Sequence, residues 1–161
     1  MTDFQQRLSK AIERGEQTRD SKLREAAEKK FTEEEYRRLH NDLRLQVSDH
    51  IEACLSQLTD HFPGFQFETV YGDRGWGGAC SRDDVGLGRG GRNEFYSRLE
   101  MVVRPFSDYH VLDLNAKGTI RNKEVFNRNH FQKLTDADPD SFQELVDLWV
   151  LEYAELYAAK S

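Results

Sequence analysis

The chain has 161 residues, of which 32% are charged and 37% apolar, and its formal net charge is −6. This length suits one domain, and the negative balance disfavours bulk polyanion binding, leaving only a local basic face open. Two cysteines, Cys54 and Cys80, make neither a disulfide framework nor a CxxC motif. The start, MTDFQQRLSKAIERGEQ, lacks an apolar signal core, and no run approaches the ~18 apolar residues of a membrane span. The expectation is a cytoplasmic protein with no membrane partner.

Residues 3–30 read as a long polar helix. Phe4, Leu8, Ala11 and Ile12 fall at helical spacing, the stripe then lapses through Thr18, Arg19 and Lys22, and Leu23, Ala26, Ala27 and Phe31 resume it. No heptad repeat is sustained, which argues against a coiled coil. A second helix is better specified. Thr32 and Glu35 form a capping box, and Tyr36, Leu39, Leu43, Val47, Ile51, Cys54, Leu55 and Leu58 mark one apolar face. His61-Phe62-Pro63-Gly64 ends it.

Strand patterns follow. Phe65, Phe67, Thr69 and Tyr71 alternate with polar residues. The segment Gly72–Asn93, GDRGWGGACSRDDVGLGRGGRN, holds eight of the eleven glycines and is expected to be a mobile or ligand-shaped loop. Phe95, Ser97, Leu99, Met101 and Val103 then share one face of a strand, and Leu112 and Leu114 one face of the next. Asn115-Ala116-Lys117-Gly118 reads as a turn, and Thr119 to Phe126 as a weaker strand. Asp138 as N-cap and Pro139 at the first helical position open a last helix, whose face carries Phe142, Leu145, Val146, Trp149, Tyr153, Leu156 and Tyr157. The fold class is α+β: two N-terminal helices, a four-strand antiparallel meander with a Gly-rich loop, and a C-terminal helix packed on the sheet. The whole of 1–161 is taken as a single domain, with 3–30 peripheral and 32–160 the main body.

The glycine segment contains a formal GxGxxG at Gly86–Gly91. Dinucleotide binding needs a strand before that motif and a helix after it, whereas a strand pattern follows here. A looser ligand or anion site remains, with backbone amides forming a nest, Arg74, Arg82, Arg89 and Arg92 adding charge, and Trp76 stacking. Asp83 and Asp84 oppose it. Cys80, between Arg74 and Arg82, is the candidate reactive thiol. His50 and Cys54 lie at i, i+4 with His61 beyond, too few ligands for a spaced finger, so no metal or cofactor is expected and Cys54 reads as structural. Tyr96, Arg98, Arg104, Arg121 and Lys123 offer a basic, aromatic sheet face for single-stranded RNA, but Glu100 and Asp113 interrupt it and make nucleic acid a disfavoured partner. No catalytic set is coherent. The expected function is a non-enzymatic binding or adaptor domain acting through protein–protein contact or self-association, with Phe4, Leu8 and Ile12 as contact residues. The alternatives are a small-molecule or anion-binding protein or enzyme using the Gly72–Asn93 loop, and RNA binding on the open sheet face.

Overall fold

The computed structural model describes residues 2–28, 31–88 and 91–160, with backbone alone at residues 2, 24–28, 85–88 and 91–93. The chain forms two compact units, Met1–Tyr36 and Arg37–Ser161. In the first, α1 (Thr2–Glu28) is one continuous helix with Asp3 in its first turn. It runs through Gly15, because nothing there demands a bend. The unit closes on Phe31, whose ring lies 5.4 Å from that of Tyr36, and on the capping box, where Glu35 N–H donates to Thr32 Oγ1 at 3.1 Å.

The second unit is an antiparallel meander covered on one face by helices. Helix α2 (Glu33–His61) enters it at Arg37. Then come β1 (Gln66–Val70), β2 (Trp76–Gly88), β3 (Gly91–Val103), β4 (Val111–Ile120), β5 (Lys123–Lys133) and α3 (Pro139–Lys160). The sheet order is β1-β2-β3-β4-β5, every pair antiparallel, so the class is α+β with five strands rather than four. Helix α3 opens as its sequence dictates, with Asp140 N–H donating to Asp138 Oδ1 at 3.1 Å.

Alternation decides the two faces. Leu99, Met101, Val103, Leu112 and Leu114 are fully buried and face the helices, as do Cys80 and Ala116. Tyr153 of α3 lies over Phe126, and its hydroxyl donates to the Thr119 carbonyl at 2.8 Å. Tyr157 meets Phe62 and Phe65 edge-on, closing α3 onto the start of β1. His40 of α2 is buried, its ring near Phe106, and its Nε2–H donates to the Arg104 carbonyl at 3.2 Å. Burial lowers its pKa, the Arg104 carbonyl opposes that, and the nearby Arg44 charge lowers it further.

Two sequence expectations are corrected. The glycine segment is no loop: from Trp76 it forms the whole of β2, and from Gly91 the start of β3. Its glycines serve close strand approach. A Cβ on Gly77 would stand 2.0 Å from the Met101 carbonyl oxygen, and one on Gly75, at φ +124°, 2.1 Å from that of Val103. Likewise Asn115–Gly118 is no turn but the middle of β4. A Cβ on Gly118 would lie 3.1 Å from the rings of both Phe126 and Tyr153, so its small size makes room for the α3 aromatics. The real turn is Arg121–Asn122, at φ 49° and 71°, a two-residue hairpin connection between the paired Ile120 and Lys123.

Strand lengths are unequal. The β1 pairing reaches Ser81 and the β4 pairing Arg98, so from Arg82 to Ser97 the strands β2 and β3 pair only with each other among the described residues. Arg82–Gly88 and Gly91–Ser97 thus form a two-stranded arm beyond the rest of the sheet. Its base is tied down by Arg82, which donates to the Pro63 carbonyl at 2.8 Å and to Asp84 at 2.7 Å, and by Arg121, whose guanidinium sits 4.6 Å from the Phe95 ring centre.

Candidate functional site

The strand geometry separates the residues expected to share a ligand. Trp76 opens β2 opposite Val103, while Arg92 pairs with Leu87, eleven residues further along β2. At about 3.3 Å per residue those positions stand roughly 36 Å apart, beyond the reach of one small ligand. Arg74 is engaged by Glu100 at 3.1 Å, and Trp76 is half-buried with the Arg44 guanidinium 4.5 Å above its ring. Arg89 lies outside the described residues, and of Arg92 the structure describes the backbone alone. Cys80 is fully buried against Leu99, and burial pushes its thiol up to about 12 despite the Leu99 backbone hydrogen bond and the Arg98 charge. A protonated, inaccessible thiol is no nucleophile.

The open sheet face is a ladder of paired charges. Arg98 bridges Glu68 at 2.6 Å and Glu100 at 3.3 Å, and Arg74 adds a second cation to Glu100. Beneath them Val70, Ala79 and Val102 form a small apolar patch. Arg121 belongs to the turn and leans on Phe95 rather than on this face. The basic groups that would hold a phosphate backbone are largely neutralised by carboxylates. Phe4, Leu8 and Ile12 share one stripe of α1 and are 65%, 48% and 54% exposed.

The cluster with the most chemistry lies between α2 and α3. His50 and Cys54 stand one turn apart on α2, and Asp147 reaches them from α3. His50 Nε2–H donates to Asp147 Oδ1 at 2.7 Å, and the Cys54 thiol donates to the same oxygen at 3.3 Å. Cys54 Sγ is 3.5 Å from His50 Nε2. Partial burial, then the hydrogen bond and charge of Asp147, push the Cys54 thiol up to about 12. Beside the cluster runs a cleft of about 430 Å³, lined by Cys54, Leu58, His61, Phe62, Asp147 and Leu151 among others. Its walls are chiefly apolar, and the Leu151 side chain is 65% exposed. Sequence reading found His50 and Cys54 but not Asp147. Nothing local could reveal it, because it is separated from them by more than 90 positions and looks like one more acid on a solvated helix.

Fold and cluster together define an α+β domain built on a five-stranded meander. No known protein family matches the chain, and comparison with curated proteins and with solved structures finds no match. In the described helices no segment is long and apolar enough to cross a membrane.

Proposed function

We propose that this chain is a non-enzymatic binding domain that works through protein–protein contact, self-association included, and that α1 carries the contact. The observation behind this reading is the composition of the first unit. Among its described residues Met1–Tyr36 holds α1 and only the first turn of the next helix, so they include no second element able to bury Phe4, Leu8 and Ile12. An isolated helix of this polarity is marginal in water and gains stability from packing on something else. Clustered large apolar side chains are the groups whose removal weakens such a contact most directly. The absence of a reactive set among the described residues supports the non-enzymatic half: Cys80 is fully buried with its thiol held protonated, and Arg74 and Arg98 are paired with carboxylates.

The test compares the full chain with the triple variant Phe4→Ala/Leu8→Ala/Ile12→Ala. Sedimentation velocity reads self-association, and a pull-down quantified by mass spectrometry reads capture of a partner. The wild-type chain should self-associate or retain a partner that the variant loses, with unchanged near-UV dichroism. A wild-type chain that stays monomeric and captures nothing the variant fails to capture would overturn the reading.

A further inference from the structure

We propose that His50, Cys54 and Asp147 bind a divalent transition-metal ion of the zinc type, which pins α2 to α3 at the mouth of the apolar cleft. This goes beyond the contact assigned to α1 and does not depend on it.

Three different donor atoms, an imidazole nitrogen, a sulfur and a carboxylate oxygen, come from two helices to one point, all within 4.8 Å of one another. A tetrahedral ion with bonds of about 2.0–2.3 Å would separate such donors by about 3.3–3.6 Å. The observed Sγ–Nε2 and Sγ–Oδ1 edges are 3.5 and 3.3 Å. Only the Nε2–Oδ1 edge, at 2.7 Å, must open, by roughly 0.6 Å to meet that geometry. Asp147 is half-exposed and can swing by that amount.

A purely hydrogen-bonded cluster explains less. An exposed His–Asp pair contributes little to stability and has no use for a thiol. Here the imidazole and the thiol compete for a single oxygen, Asp147 Oδ1. An ion replaces that competition with three bonds: the thiol proton leaves for solvent, and the single proton of the neutral His50 ring moves from Nε2 to Nδ1, which frees Nε2 for the ion. The donor set selects the metal. Mixed sulfur, nitrogen and carboxylate ligation suits zinc or cobalt and disfavours magnesium and calcium, which take oxygen alone. Three protein ligands leave a fourth position for water. His61 does not supply it, because its backbone stands about 10 Å further along α2 than that of Cys54 and its Nδ1–H donates to the Gln57 carbonyl at 3.0 Å.

The experiment titrates untagged, full-length protein with Co²⁺ and follows the thiolate-to-cobalt charge-transfer band together with the visible bands of tetrahedral cobalt. Zn²⁺ competition then gives its affinity. One equivalent should develop both sets of bands, and one equivalent of Zn²⁺ should abolish them. Cys54→Ser should remove the charge-transfer band. His50→Ala and Asp147→Ala should each weaken Zn²⁺ by about 100-fold or more, since even groups that merely orient a ligand cost 10–100-fold. His61→Ala should leave the affinity unchanged, and each variant is checked for native near-UV dichroism. Because Cys80 is fully buried, it cannot supply the charge-transfer band in folded protein. No charge-transfer band in the wild-type chain, or bands that persist in folded Cys54→Ser, or Zn²⁺ affinity that follows His61 rather than His50, would each overturn the proposal.

Discussion

Substituting Gly77 by alanine sets the two readings of the glycine segment against each other, because they predict opposite signs. If Gly72–Asn93 were a mobile loop, an added methyl would meet nothing and would stabilise by about 0.4–1 kcal/mol, through a less flexible unfolded chain. In the strand, the new Cβ would stand 2.0 Å from the Met101 carbonyl oxygen and 2.9 Å from the Val102 Cα. Both are backbone atoms of the paired strand, so no side chain can rotate away. Relief requires β2 and β3 to part by about 1 Å, which weakens one or two ladder hydrogen bonds at ~1 kcal/mol each and adds ~1–3 kcal/mol of overpacking. The expected loss is therefore about 2–5 kcal/mol. Equilibrium urea denaturation reads it as a lower midpoint at unchanged slope. A midpoint equal to or above that of the wild-type chain would refute the close-approach argument.

Trp149→Ala, at a core position only 8% exposed, should cost about 3–5 kcal/mol in the same assay; a near-wild-type midpoint would place α3 at the periphery. Gly15→Ala should raise α1 helicity by far-UV dichroism, since the added methyl touches nothing and glycine costs a helix about 0.8–1 kcal/mol relative to alanine. His40 is held neutral by burial, so its folded pKa lies below the ordinary 6.5. The stability it contributes is complete above 6.5 and is lost as pH falls through the folded value. Stability measured from pH 7 down to pH 5 should fall less steeply in His40→Gln than in wild type.

The parts of the fold that depend on periodicity were legible. The face of α2 from Leu43 to Leu58, the alternation through Leu99, Met101 and Val103, and the Asp138–Pro139 helix start all stand as read. Glycine misled, because its two uses look alike in sequence: a residue that frees the chain and a residue that lets two chains touch. Gly77 and Gly118 are of the second kind, and of the atoms that need the space, the Met101 carbonyl and the Tyr153 ring are remote along the chain, while the Phe126 ring arrives only through the β4–β5 pairing. The same remoteness hid Asp147. A helix pair at i, i+4 announces two donors, but only the packing of α3 on α2 decides whether a third arrives. The candidate ligand set failed to converge for a related reason. Arg74, Trp76 and Arg92 are close in sequence only as long as the chain between them is flexible, and an extended strand carries them apart.

The β2–β3 arm raises the question of what holds a two-stranded ribbon in place, since an isolated hairpin is marginal in water. Much of the answer lies in one side chain. Asn122, at φ 71° in the β4–β5 turn, accepts from the Tyr96 N–H through Oδ1 at 2.8 Å. Its Nδ2 donates to the Glu94 carbonyl at 2.9 Å, and its own N–H donates to the Tyr96 carbonyl at 2.8 Å. The asparagine thus satisfies the outer edge of β3 where β4 has stopped short. Asn122→Gly keeps the turn conformation and loses two side-chain bonds, so it should cost about 1–3 kcal/mol. Asn122→Ala loses the same bonds and adds left-handed strain, for about 1 kcal/mol more. Hydrogen exchange locates the damage. In both variants the amides of Glu94 to Ser97 should exchange faster, while those of Leu99 to Val103, paired on both sides, should keep their wild-type protection. Equal stability of the glycine and alanine variants would remove the turn-strain component. Unchanged exchange at Glu94 to Ser97 would show that Asn122 is no clamp and that the arm is held without it.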